Sequence, residues 1–129
     1  MPKTLAEAKH AQLIALAADW LRHKYGCGII LSEQCCVTGE VPDVIGWKAR
    51  CQSVLVECKV SRNDFLADAN KSFRLRPEEG LGSKRLYMAP VGMIAPEELP
   101  KHWGCWSAKA AKYNSRRNQA SLTCGVRSA

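Results

Sequence analysis

From Thr4 to about Tyr25, apolar residues return every three or four positions. Leu13, Leu16, Ala17, Trp20 and Leu21 fall on one stripe, the spacing of a helix with one buried face. Thr4 and Glu7 fit a capping box at its start, each side chain satisfying the other's free backbone N–H. Gly26 and Gly28 then release the chain. Next comes a strand over 27–33 built on Ile29-Ile30-Leu31. A second strand follows from Val41 to Trp47 and a third from Ser53 to Val60. The short polar stretch Lys48-Ala49-Arg50 between the last two predicts a hairpin. At Ser61 the pattern returns to helical spacing: Phe65, Leu66, Ala69 and Phe73 make a stripe ending near Arg74, with Ser61 and Asp64 as a second capping pair. Residues 75–83 read as a loop, Arg85 to Ala89 as a strand, Pro96 to Leu99 as a helical turn and Trp103 to Ser107 as a last strand. Beyond Ala111 no period is read. Helix, three strands, helix, strand is the order of an α/β fold with a mixed sheet.

Size and composition narrow the picture. A chain of 129 residues with 47% hydrophobic positions is one domain with a real core, not a disordered polymer. No apolar run approaches the roughly 18 residues of a membrane span. The N-terminal pattern, broken by His10, Asp19 and Arg22, is not that of a signal peptide. A cytoplasmic protein is expected. The seven cysteines, Cys27, Cys35, Cys36, Cys51, Cys58, Cys105 and Cys124, contain no C-x-x-C pair, so reduced, largely buried thiols are expected ahead of a zinc site or a disulfide framework. The net charge of +7 is concentrated at the end: residues 101–129 hold six Lys/Arg and no acid. That suits a polyanion such as nucleic acid or, equally, a solvated tail. The expected organisation is a domain over 1–108 followed by a basic tail over 109–129.

The chemistry lies in Pro42-Asp43 and Glu57-Cys58-Lys59. Side chains alternate along a strand, so Leu55, Glu57 and Lys59 share one face and Val54, Val56 and Cys58 the other. A hairpin centred on Arg50 sets Asp43 opposite Glu57, within reach of one cation; a one-residue slip would undo this. Two carboxylates held so close repel unless a cation lies between them, and oxygen ligands select hard ions such as Mg²⁺ or Mn²⁺. Lys59 is placed to hold a water or to neutralise charge on a phosphoryl group.

These residues resemble the active site of the PD-(D/E)xK nuclease superfamily, whose restriction-endonuclease-like αβββαβ core matches the predicted order. The stretch from Val56 to Asp68, Ala95-Pro96-Glu97-Glu98-Leu99-Pro100 and Trp103-Gly104 are similar to small stand-alone members from bacteria and their phages; the match spans about residues 5–106. The resemblance implies Asp43, Glu57 and the backbone carbonyl of Cys58 as metal ligands, with Lys59 as the catalytic lysine. A further carboxylate would come from Glu7, Glu33 or Glu40, with Glu40 ranked first. Arg62, Lys71 and Arg74, with Lys84 and Arg85 beyond, are candidates to grip phosphates, or else ordinary exposed charges. His10, His23 and His102 show no ligand spacing. Asp64 reads as a cap, and Asp68 as a charge that would repel DNA.

The expected function is Mg²⁺-dependent hydrolysis of DNA phosphodiesters, with DNA ahead of RNA and structure-selective or weakly sequence-specific action in repair, recombination or host–phage conflict. A protein partner or a homodimer would supply further targeting. The alternative is a catalytically silent module on the same fold that binds nucleic acid or a protein.

Overall fold

The computed structural model describes residues 5–37, 39–108 and 122–126. The elements are α1 (Leu5–His23), β1 (Ile29–Ser32), β2 (Val44–Trp47), β3 (Ser53–Cys58), α2 (Arg62–Asp68), α3 (Ser72–Leu75), β4 (Lys84–Pro90), β5 (Trp103–Ala108) and β6 (Leu122–Val126), with 3₁₀ turns at Ala49–Cys51, Pro77–Glu79 and Pro96–Glu98. All six strands form one mixed sheet in sequence order. β1, β2 and β3 run as an antiparallel meander. After the helical crossover, β4 lies parallel to β3 and β5 parallel to β4. β6 returns antiparallel on the far edge. The predicted α/β fold with a mixed sheet is therefore the observed one. Among the described residues no helix is long and apolar enough to cross a membrane.

Both faces of the sheet are covered. The α1 stripe of Leu13, Ala17, Trp20 and Leu21 packs on Val54, Val56 and Cys58 of β3, with Met88 and Trp106 beyond. On the other face Leu55, Tyr87, Trp103 and Cys105 meet Phe65 from α2 and Leu99. Burial on both sides explains why β3 reads as an unbroken apolar run up to Glu57. Burying a Leu or Phe side chain contributes about 1.5–3 kcal/mol, so this strand is firmly held where its charged end begins.

Three expectations need correction. β2 begins at Val44, not Val41, because Pro42 has no N–H to give a ladder and the preceding residues leave the sheet. The single helix expected over 61–74 is two: α2 stops at Asp68, and tight turns from Asn70 N–H to the Ala67 carbonyl (3.2 Å) and Lys71 N–H to the Asp68 carbonyl (3.1 Å) precede α3. Leu66 and Ala69 consequently face solvent, and Asp68 is buried in their place. Finally, Leu122–Val126 of the expected tail pairs with β5, from Gly104↔Val126 to Ala108↔Leu122.

Ser61 Oγ accepts the Asp64 N–H at 3.2 Å, as predicted for a cap. The cap involving Thr4 lies outside the described residues. Cys27, Cys58 and Cys105 are buried and in no disulfide, whereas Cys35 and Cys51 are exposed and Cys36 is half-buried; the side chain of Cys124 lies outside the described set.

Candidate active site

The β2–β3 register couples Val44 to Val56, Ile45 to Leu55, Gly46 to Val54 and Trp47 to Ser53. One step further sets Asp43 opposite Glu57, the pairing expected from a hairpin centred on Arg50. Arg50 and Cys51 make that turn with positive φ, 62° and 58°. The next step sets Pro42 opposite Cys58. Lys59 N–H donates to the Met88 carbonyl on β4 (2.9 Å), so by alternation the Cys58 amide and carbonyl point toward β2. There Pro42 offers no N–H, and the ladder supplies no donor for the Cys58 carbonyl. The Cys58 N–H donates instead to Asp43 Oδ2 at 2.7 Å. This bond fixes Asp43 at the start of β2, beside a main-chain oxygen that its own strand leaves without a donor.

Glu57 is buried beside it. Its Oε1 lies 3.6 Å from Arg74 and its Oε2 4.0 Å from Lys71, both longer than a hydrogen bond. Burial, then repulsion from Asp43, pushes its carboxyl up to about 8 despite Lys71, Lys59 and Arg74 nearby. A carboxylate in that condition gains strongly from an added cation. Asp43 Oδ1 meets His10 Nε2 from α1 at 3.3 Å.

The Lys59 ammonium is buried and lies on the α2 side, 3.1 Å from Asp68 Oδ1 and 3.8 Å from Asp64 Oδ1. Asp68 is the hub of the cluster. It accepts the Tyr87 hydroxyl at 2.5 Å and Arg74 Nε at 2.7 Å, and pairs with Lys71 at 3.0 Å. Burial alone would raise its carboxyl; the Tyr87 hydroxyl, Lys59 and Arg74 more than reverse that and hold it well below the usual range. Lys71 is itself raised: burial works against its charge, but Glu57 and Asp68 outweigh it. Five carboxylates, Glu40, Asp43, Glu57, Asp64 and Asp68, thus face three cations, Lys59, Lys71 and Arg74. These carboxylates outnumber the cations beside them, so the cluster is short of positive charge.

Among the described residues no three His, Cys, Asp or Glu side chains converge as a metal cage. The donor set that fits a hard cation is smaller: Asp43 Oδ1, the raised Glu57 carboxylate and the Cys58 carbonyl. Glu40, expected as a possible further carboxylate ligand, is buried and engaged elsewhere, its Oε2 accepting the Leu81 N–H at 2.8 Å and its Oε1 lying 3.5 Å from Arg74. Glu33 is exposed, and its N–H is shared by the Pro42 and Asp43 carbonyls (3.2 Å each). The Glu7 side chain lies outside the described set.

The expected phosphate contacts divide. Lys71 is half-exposed at the mouth of the cluster. Arg74 is not on the surface: it is buried in the ion network, stacked 4.3 Å over the Trp103 ring. Arg62 is exposed but forks onto Glu98 with two bonds of 2.6 Å. Arg85 holds the 77–81 loop through the carbonyls of Leu81, Pro77 and Gly80. Lys84 lies over the Tyr25 ring, three positions along β4 from Tyr87, the partner of Glu57, or about 10 Å along the strand. Lys84 and Arg85 therefore belong to the sheet's opposite end.

Sequence reasoning missed His10, Asp68 and Tyr87. The signal for Asp68 was available: Asp64 and Asp68 stand four apart on α2, one helical face, directly after the end of β3 that leads into Lys59. No protein family and no curated protein matches the chain. Among solved structures it is similar to a protein of unknown function from Silicibacter pomeroyi, with a TM-score of 0.55 and 25% identity over 70% of this chain. The chain spans 57% of that protein's length. The likeness supports the α/β fold and carries no activity.

Proposed function

We propose that the chain is a metal-dependent phosphodiesterase acting on DNA, a nuclease of the PD-(D/E)xK kind. The observation that carries this reading is the Asp43–Cys58 bond. It assembles two carboxylates, an undonated main-chain oxygen and a buried lysine at one strand end, in a cluster short of positive charge. Asp43, Glu57 and the Cys58 carbonyl would hold Mg²⁺ or Mn²⁺, which when bound polarises a phosphoryl oxygen and acidifies a water. Lys59 supplies positive charge beside the phosphate and orients the attacking water. Water oxygen forms a new bond to phosphorus as the bond to the leaving sugar oxygen breaks. One water proton passes to that leaving oxygen and the other stays with the phosphate. DNA is the substrate favoured by the resemblance, and the surplus of Lys and Arg suits it.

One observation favours the second reading, a silent module that binds nucleic acid or a protein. Lys59 and Arg74 already neutralise carboxylates inside the network, as a purely structural ion cluster would. The two readings separate on turnover. Supercoiled, linear and single-stranded DNA are incubated with the full chain in Mg²⁺, Mn²⁺ or EDTA, beside Lys59→Ala purified identically. Cleavage that needs the metal and falls at least about 10²-fold in the variant supports the nuclease. Equal cutting by both marks a contaminant, and no cutting by either favours the binding module.

A further inference from the structure

We infer that Asp68, held by Tyr87, is a positioning residue that aims the Lys59 ammonium, and that α2 exists in its short form to deliver it. The inference rests on the nuclease reading for its catalytic consequence but not for its geometry.

A lysine side chain has four rotatable bonds and loses rotamer freedom when fixed. Strand β3 ends at Cys58, so the backbone sets where the Lys59 chain starts, not where its charge ends. Its charged end lies 3.1 Å from Asp68, fully buried, and 3.8 Å from Asp64, which is partly open to solvent. Asp68 is the better anchor because it is itself fixed from the other side. Tyr87 O–H and Arg74 Nε both donate to its Oδ2, leaving Oδ1 for Lys59 and Lys71. Tyr87 is rigid, buried between Phe65 and Trp103 with its ring stacked on the latter at 4.5 Å. The break after Asp68 belongs to the same device. The tight turn at 69–71 brings Arg74 back onto the carboxylate it follows, which one straight helix over 61–74 would carry past it, whereas Lys71 at i+3 meets Asp68 on either backbone.

Three alternatives predict different behaviour. A metal ligand at position 68 would govern metal affinity. A merely structural residue would govern folding alone. A positioning residue governs where Lys59 sits and how fast the reaction runs, with metal and DNA still bound.

The test uses the full chain as wild type, Asp68→Asn and Tyr87→Phe. Its first readout needs no activity: the rate at which Lys59 is acylated by an amine-reactive ester, read by mass spectrometry on folded protein. Asp68→Asn should raise that rate at least about tenfold and Tyr87→Phe about threefold, in line with losing a charged and a neutral partner. The second readout is DNA cleavage with Mn²⁺. The kcat should fall about 10²-fold in Asp68→Asn, the effect of a misplaced catalytic group, with KM for DNA and Kd for Mn²⁺ within about twofold of wild type. Unchanged Lys59 labelling in both variants overturns the proposal, as does a loss of Mn²⁺ affinity that tracks the loss of kcat. If Asp68→Asn does not fold, Tyr87→Phe decides on the same readouts. A wild type that cuts no DNA sinks the nuclease reading, and the labelling still shows whether Asp68 aims Lys59.

Discussion

At the scale of single residues, Glu57 and Asp68, both buried, are opposites, and the difference lies in their partners. Asp68 has four donors or cations within 3.1 Å; Glu57 has none closer than 3.6 Å. Their linkage to stability has opposite signs. Asp68 is depressed, so its contribution is complete above its unfolded value and is lost as pH falls toward its folded one. Glu57 is raised to about 8. The folded protein therefore keeps a proton that the unfolded chain gives up near pH 4.3, and stability declines as pH rises from there to about 8. Melting curves in EDTA between pH 3 and 9 should show a wild type weakened on both sides of the mildly acidic range. Glu57→Gln removes the charge and keeps the shape. At pH 8.5 it should be more stable than wild type by about 1–2 kcal/mol, and inactive. A Glu57→Gln protein no more stable than wild type at pH 8.5 would mean that its neighbours already satisfy the charge.

The elements show why the site could be read from the sequence in part. Strand period and hairpin length together fixed Asp43 opposite Glu57, because side chains alternate and the α1 stripe demands one face of β3. Glu40 was out of phase with Asp43 on a straight strand; leaving the ladder before β2 brings it inside, but onto Arg74 and Leu81. The α2–α3 break was not legible. Phe65, Leu66, Ala69 and Phe73 satisfy helical spacing, and nothing local announces that a buried salt-bridge hub will outweigh Leu66 and Ala69 for the inner face. Arg74 misled for the same reason: a basic residue at a helix end usually meets solvent, and here Glu40, Glu57 and Asp68 draw it in. Pro42 gives the element-scale prediction. Pro42→Ala adds an N–H opposite the Cys58 carbonyl, which lets the β2–β3 ladder run one step further. The new bond, worth up to about 1 kcal/mol, is set against loss of the fully buried Pro42 ring, so stability should change little. The variant should lose Mn²⁺ affinity and turnover, since the main-chain oxygen is then engaged. Isothermal titration with Mn²⁺ checks this, and affinity equal to wild type would remove the Cys58 carbonyl from the ligand set.

For the whole molecule, the question is what the last stretch of chain does, and there sequence and fold pull apart. Charge alone leaves 109–129 equally a polyanion contact or a solvated tail. The strand pairing makes Leu122–Val126 the outer strand of the sheet, covering the β5 edge. An uncovered parallel strand presents unpaired N–H and C=O groups and invites association between chains. Deleting 109–129 therefore removes two things together: positive charge, and the pairing that shields β5. A truncated protein should melt lower and self-associate, so weaker DNA binding by it would not identify a clamp. Neutralising Lys112, Arg116 and Arg117 to Gln leaves Leu122–Val126 in place and isolates the charge. If those side chains meet phosphates, the variant keeps the wild-type melting temperature and loses DNA affinity at low salt. The slope of log K against log salt should then become shallower by about 0.9 for each lost contact on a duplex. Charges that only keep the chain soluble would leave that slope unchanged. The role of the stretch would then be structural, a strand that closes the sheet at the edge farthest from β1.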